Sequence, residues 1–195
     1  MSFLNEPNIP FNLDIFYFFN HGISNPILDT TIPILTTNIT DYSLLGSVII
    51  FLIYGIFTNE KKIKMVSIYL ILSIIFQRFI ITILKSLFYE PRPFIVLSNV
   101  IKLVPDSLSS FPSGHSSAIF AFVTVIALTC TIKVKGFNLT WILYPIAIFL
   151  GISRIYVGVH YPFDVFVGGL IGFLSAYIVV KVGEKYFHDK IKIIV

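Results

Sequence analysis

The sequence predicts an all-α fold, a polytopic membrane helix bundle of five transmembrane helices preceded by N-terminal interfacial helices. Three observations carry that prediction. Hydrophobic residues make up 56% of the 195 positions and charged residues only 12%, with a mean hydropathy of +0.89; a soluble domain carries roughly 25% charged residues. The apolar residues gather into continuous stretches near the length a bilayer requires. None of these stretches alternates in polarity as a β-barrel strand does, and backbone groups in hydrocarbon must pair within their own segment, so helices are expected.

Taken in order, residues 1–41 read as an N-terminal interfacial segment. Phe11 to Phe19 is aromatic and amphipathic, and the moderately apolar run that follows Pro26 contains Asp29 and Pro33. One or two interfacial helices are expected there in preference to a sixth span. The bundle proper occupies 42–182, with spans over 42–58, 65–84, 116–132, 139–152 and 165–182, and residues 183–195 form a cytoplasmic tail. A single domain therefore uses the whole of 1–195. The connections over 60–64 and 133–138 are short, whereas 85–115 forms a long loop, and long loops in compact domains are often functional.

Sidedness follows from lysine placement. Lys61, Lys62, Lys64, Lys133, Lys135, Lys181, Lys185, Lys190 and Lys192 share one face if the five spans alternate, and the positive-inside rule makes that face cytoplasmic. Lys85, Arg92, Lys102 and Arg154 fall on the other. The N-terminus is then outside, the C-terminus inside, and the polar segments extracytoplasmic. The first Lys or Arg is Lys61, so the basic n-region of a cleavable signal peptide is missing and insertion is expected to rely on the mature helices.

Several functions are excluded. A net charge of +4, spread thinly, lacks the dense basic stripe of a nucleic-acid binder. Cys130, the single cysteine, forms no intrachain disulfide and has no partner for a zinc site; apolar packing is its expected role. Gly168, Gly169 and Gly172 are expected to let helices approach closely. Trp141 suits an interfacial belt, and Pro145 is expected to kink its helix.

The chemistry is concentrated in three polar segments: KSLFYEPRP (85–93), FPSGHSS (111–117) and SRIYVGVHYPFD (153–164). A charge at the bilayer centre costs about 2.5–3.5 kcal/mol, so gathering cations and histidines at helix ends implies a purpose, and an anion site is the natural one. Lys85, Arg92 and Arg154 can stabilise charge spread over phosphoryl oxygens without a metal. Arginine offers a planar fork for two oxygens and lysine a mobile point charge. Ser113 and Gly114 sit where a helix begins, aiming N–H groups and the positive dipole end at the anion, and Gly114 permits close approach.

His160 reads as the nucleophile, forming a phosphohistidine that water hydrolyses. Asp164, four residues on and near the start of the last helix, holds one imidazole N–H and leaves the other nitrogen to attack. His115 is the remaining proton donor for the leaving oxygen. His21 and His188 lack such company and read as solvated residues. Lys102 and Asp106 read as solvated loop residues, with Lys102 also within reach of a lipid headgroup. Arg78 and Gln77 lie within an apolar helix, where Arg78 is expected to snorkel or to pair inside the bundle in preference to a direct catalytic role.

These residues resemble the three motifs of the type 2 phosphatidic acid phosphatase (PAP2) superfamily: K-x6-R-P at Lys85, Arg92 and Pro93; PSGH at Pro112 to His115; and SR-x5-H-x3-D at Ser153, Arg154, His160 and Asp164. The resemblance implies a PAP2/haloperoxidase-like bundle, no cofactor, and the same roles for His160, His115 and Asp164. It implies a lipid phosphate or diphosphate substrate drawn from the bilayer and leaves the oligomeric state unknown. The string Tyr89 to Phe94 is similar to bacitracin-resistance-type undecaprenyl-diphosphatases, although those commonly carry PSDH where this chain has Gly114. The expected function is removal of the terminal phosphate from a polyprenyl diphosphate. Phosphatidate, phosphatidylglycerophosphate and dolichyl-type diphosphate stay open as alternatives, as do a vanadium haloperoxidase and a non-catalytic lipid binder.

Overall fold

The structure is a computed structural model that describes residues 10–36, 40–131, 133–134, 137–186 and 193–194. Of the positions used above, His188, Lys135, Lys190, Lys192 and most of the C-terminal tail lie outside the described residues.

Two short helices open the fold: α1 (Pro10–Tyr17), extended by a wider turn over Phe18–Gly22, and α2 (Pro26–Ile34). Asn25 starts α2 by accepting the N–H groups of Ile27 and Leu28, with Pro26 at the first helical position, where its missing N–H costs nothing. The expected pair of N-terminal helices is therefore present. Both are tied into the protein: buried Asn20, in the turn that extends α1, donates to the carbonyls of Ile101 and Tyr156, at 2.9 and 2.8 Å, and accepts from the Ile101 N–H, while Asp29 of α2 accepts from the Tyr156 hydroxyl.

The bundle consists of α3 (Thr40–Phe57), α4 (Lys61–Leu87), α6 (Gly114–Thr129), α7 (Leu143–Tyr156) and α8 (Pro162–Tyr186), with a single turn, α5 (Pro93–Val96), inside the long loop. Among the described residues three stretches are long and apolar enough to cross a membrane: Lys61–Leu87, Leu139–Tyr156 and Pro162–Tyr186. Gly46–Phe57 and Gly114–Thr129 are shorter apolar helices. At 16 residues α6 rises about 24 Å, less than the roughly 30 Å of hydrocarbon, and ends at Cys130 instead of reaching residue 132. There the chain turns into two-residue strands: Cys130–Thr131 pairs with Ile193–Ile194, and Lys133–Val134 with Phe137–Asn138.

Pro145, expected to kink its helix, sits near that helix's start. It is the third residue of α7, which follows a 3-10 turn at Leu139–Ile142, so its ring falls where no intrahelical N–H bond is needed. The long loop is shorter than expected because α4 runs on to Leu87, which puts Lys85 in the helix's last turn.

At the centre α4, α6 and α8 pack against one another, with Val66, Tyr69, Leu70, Ala121, Val125, Ala176 and Val180 buried between them. The approach of α8 to α6 depends on two glycines. A Cβ on Gly168 would lie 2.3 Å from the Ser113 carbonyl oxygen, and one on Gly172 would lie 2.0 Å from that of Ser117. No side chain fits there, and the expectation for these glycines holds. The contact also matters for function, because Ser113 begins α6 and Gly168 lies one turn beyond Asp164. Packing thus brings the second and third polar segments into register.

Candidate active site

Lys85 at the end of α4, His115 at the start of α6, Arg154 in the last turn of α7 and Asp164 in the first turn of α8 all lie at one end of the bundle. A cavity of about 1040 Å³ opens there, and Lys85, Arg92, Gly114, His115, Arg154 and His160 all line it. These six residues, which the sequence assigns to one anion site, thus share one cavity. Ser113 and Asp164 stand behind that lining.

Local hydrogen bonds explain the arrangement. Asp164 accepts the N–H of Tyr161 at 2.9 Å, closing the first turn of α8 as a capping-box carboxylate does, while Asn12 of α1 accepts the N–H of Phe163. The backbone oxygen of Asp164 accepts the N–H of Ser113 at 3.0 Å, locking the start of α6 to the start of α8. The Ser113 hydroxyl is turned inward as the cap of α6, accepting from the N–H of Ser116 at 3.3 Å. Its side chain therefore shapes the helix start, and Gly114 and His115 are the residues of that motif that face the cavity.

His160 sits in the turn between α7 and α8, 2% exposed. Gly158, at φ +79°, makes that turn, and its missing Cβ lets the Ile101 carbonyl close over it. One ring nitrogen, Nδ1, is 3.4 Å from Asp164 Oδ2 and 3.4 Å from the Ser110 hydroxyl; Ser110 itself donates to Asp164 Oδ2. The other, Nε2, is 3.1 Å from Arg92 Nη1. A guanidinium only donates, so Nε2 is the acceptor and the proton resides on Nδ1. Burial, then the charges of Arg92 and Arg154, hold this imidazole well below its ordinary pKa, in the neutral form, with its Nε2 lone pair directed at Arg92.

Arg92 is buried and fully engaged, donating to the Val159 carbonyl at 2.7 Å, to the Ser107 hydroxyl at 3.0 Å and to Asp106 at 2.7 Å. Asp106 is not a solvated loop residue: its second oxygen accepts from Arg154 Nη2, also at 2.7 Å, so one carboxylate spans both arginines. Burial alone would raise its pKa, but Arg92, the Ser107 N–H and Arg154 outweigh that and hold it below the ordinary range. Lys102 packs its ammonium 3.8 Å above the Phe94 ring. Lys85 donates to the Ser109 carbonyl at 2.7 Å.

Sequence reading missed Asp106 as a bridge, Ser107 and Ser110 as supports, and Thr36, which accepts from Ser153 at 2.6 Å beside Arg154. All four sit in irregular or short segments without periodic pattern or motif. Phe111–Pro112 is a cis peptide.

Comparison with known proteins agrees with this geometry. The PAP2 superfamily profile matches residues 67–187, well over half of the chain. The chain belongs to the PAP2 superfamily. As a PAP2 protein it is 34% identical over 167 residues to the bacitracin transport permease protein BcrC of Bacillus licheniformis, covering 85% of this chain and 77% of the relative. It is 32% identical over 161 residues to the undecaprenyl-diphosphatase BcrC of Bacillus subtilis (strain 168), covering 79% and 77%. Among solved structures it is similar to the transmembrane PAP2 type phosphatidylglycerolphosphate phosphatase from Bacillus subtilis, with a TM-score of 0.73, 27% identity, and coverage of 93% of this chain and 89% of that one. With this membership the PAP2 chain is a membrane phosphatase.

Proposed function

We propose that this PAP2 phosphatase removes the terminal phosphate of a polyprenyl diphosphate, undecaprenyl diphosphate or a similar carrier, and returns the lipid monophosphate. The observation that carries the reading is the placement of a neutral His160 Nε2 against Arg92, on the wall of a cavity shared with His115, Lys85 and Arg154. The likeness to a protein named undecaprenyl-diphosphatase supports the substrate class.

In this reading His160 Nε2 attacks the terminal phosphorus while the bond from phosphorus to the bridging oxygen breaks, and His115 gives its proton to the departing oxygen. Water then attacks the phosphohistidine. Its proton passes to His115, the P–N bond breaks, and orthophosphate leaves. Asp164 keeps the imidazole oriented through Nδ1–H, and the cations offset charge on the equatorial oxygens. These side chains fill the role that a metal ion has in other phosphatases, so turnover is expected to survive EDTA.

The same reading gives five spans within one domain and puts the site at the extracytoplasmic end, with the C-terminus cytoplasmic. The support is the clustering of Lys61, Lys62, Lys64, Lys181 and Lys185 at the bundle end opposite the cavity. A second reading, a glycerolipid phosphate ester as substrate, is supported by the likeness to the phosphatidylglycerolphosphate phosphatase. Turnover of polyprenyl diphosphate, phosphatidate and phosphatidylglycerophosphate by the detergent-solubilised enzyme decides between them. A strong preference for either glycerolipid refutes the diphosphate reading, and phosphate release that survives His160→Ala refutes the phosphohistidine.

A further inference from the structure

Arg78 lines the same cavity, yet none of the three motifs includes it. It shares one face of α4 with Ile81, Thr82 and Lys85, all of which also line the cavity, at the i, i+3, i+4 and i+7 spacing of a helical stripe. Its backbone lies seven residues before Lys85, about 10 Å further along the helix toward the apolar middle of the chain. The guanidinium comes back up to the start of α6: Nη1 lies 3.4 Å from where a Gly114 Cβ would be, one residue before His115. None of the hydrogen bonds or ion pairs found among the described residues uses its side-chain nitrogens; only its backbone oxygen is engaged, by Thr82. The other two arginines are each held by Asp106 and by a backbone carbonyl, that of Val159 for Arg92 and that of Thr36 for Arg154.

Two cationic poles result. Arg92 stands on His160, the attacking group of the proposed reaction, and Arg78 stands beside Gly114 and His115, the group that protonates the leaving oxygen. In a phosphate monoester the leaving oxygen belongs to an alcohol and presents no second anion. In a diphosphate it belongs to another phosphate, whose charge grows as the P–O bond breaks and which lies on the side of the lipid tail, toward the bilayer interior. With the Ser116 N–H capped by the Ser113 hydroxyl, the N–H groups of Gly114 and His115 are the first-turn donors of α6 without an intrahelical acceptor, and Gly114 is the residue beside the Arg78 guanidinium.

We propose that Arg78, with the start of α6, holds the second, non-reacting phosphate of a diphosphate substrate, and so sets selectivity for diphosphates over monoesters. This rests on the diphosphatase reading above. A fork that donates two hydrogen bonds to one phosphate suits this position better than a lysine point charge.

The test measures, by calorimetry on the full-length enzyme in detergent, binding of methylenediphosphonate, whose P–C–P link is not hydrolysed, and of orthophosphate. The wild type is expected to bind the diphosphonate at least tenfold more tightly. Arg78→Gln is expected to bring the two affinities within about twofold by weakening the diphosphonate, and Arg78→Lys to restore part of the ratio. Equal weakening of both ligands by Arg78→Gln, or an unchanged ratio, overturns the proposal, as does a wild type that does not distinguish the ligands. If Arg78→Gln does not fold, the Arg78→Lys ratio decides, since an unchanged ratio there means the fork is not used. A wild type that turns over phosphatidate in preference to polyprenyl diphosphate refutes the substrate reading, while the two-ligand ratio still judges Arg78 separately.

Discussion

Arg92 Nη1 lies 3.1 Å from His160 Nε2, so the guanidinium expected to grip phosphate already fixes which imidazole nitrogen carries the lone pair. Burial, Arg92 and Arg154 together hold His160 well below its ordinary value of 6.5. The proposed nucleophile must be neutral, so activity is expected to fall only as pH drops through that lowered value. The acid limb of kcat/KM is expected below the ordinary imidazole range. Arg92→Gln should cut kcat by about 10²–10³-fold and move the limb upward, toward the ordinary imidazole range. A limb that stays in place would show that Arg92 does not control the ring.

Glu90 is buried beside Asp164, and burial first, then that neighbour's charge, push its carboxyl up to about 8 from an ordinary 4.5. A raised carboxyl pKa stabilises the fold fully below the unfolded value and loses that contribution as pH climbs through the folded one. Melting temperature should therefore decline between pH 5 and pH 9. Glu90→Gln should flatten the decline, and parallel melting curves for the two proteins would count against the account.

The α6–α8 contact makes a contrasting prediction for three glycines. Gly168→Ala and Gly172→Ala each push a methyl group into backbone oxygen, at 2.3 and 2.0 Å, and should destabilise by at least the ~1–3 kcal/mol of an overpacked core. Gly114→Ala meets only Arg78 and Ile81, at 3.4 and 3.7 Å, and should melt within a few degrees of wild type. Thermal melts in detergent compare them directly. Equal loss in all three would mean that the close approach is not the cause.

Asp106 occupies both arginines, and a bound phosphate must share them with it or displace it. Asp106→Asn removes that competing charge and should tighten inhibition by orthophosphate about tenfold. Weaker inhibition would make the carboxylate a brace that positions the arginines. Product-inhibition constants of the variant and wild type distinguish the two.

Much of the fold was legible because membrane helices are written in long apolar runs, and the helices over 61–87 and 162–186 contain the expected spans. Helix limits were less legible: capping by Ser113 starts α6 earlier than apolarity suggested, and a proline in a first turn resembles a kink until the preceding 3-10 turn is seen. Motif residues were legible by spacing. Their supports were not, since Ser110 meets Asp164 across 54 residues and Asp106 meets Arg154 across 48, in stretches with no period.

A membrane-embedded helical chain with two histidines, a carboxylate and three cations near helix ends is legible in the amino-acid order alone, because hydrophobic runs and motif spacing are local properties. Three-dimensional packing was needed to show that one aspartate ties two arginines together, that Ser113 turns inward as a cap, and that Arg78 reaches the glycine before His115. Those facts depend on how closely α4, α6 and α8 approach, and that distance is set by the glycines that carry no side chain to hold the helices apart.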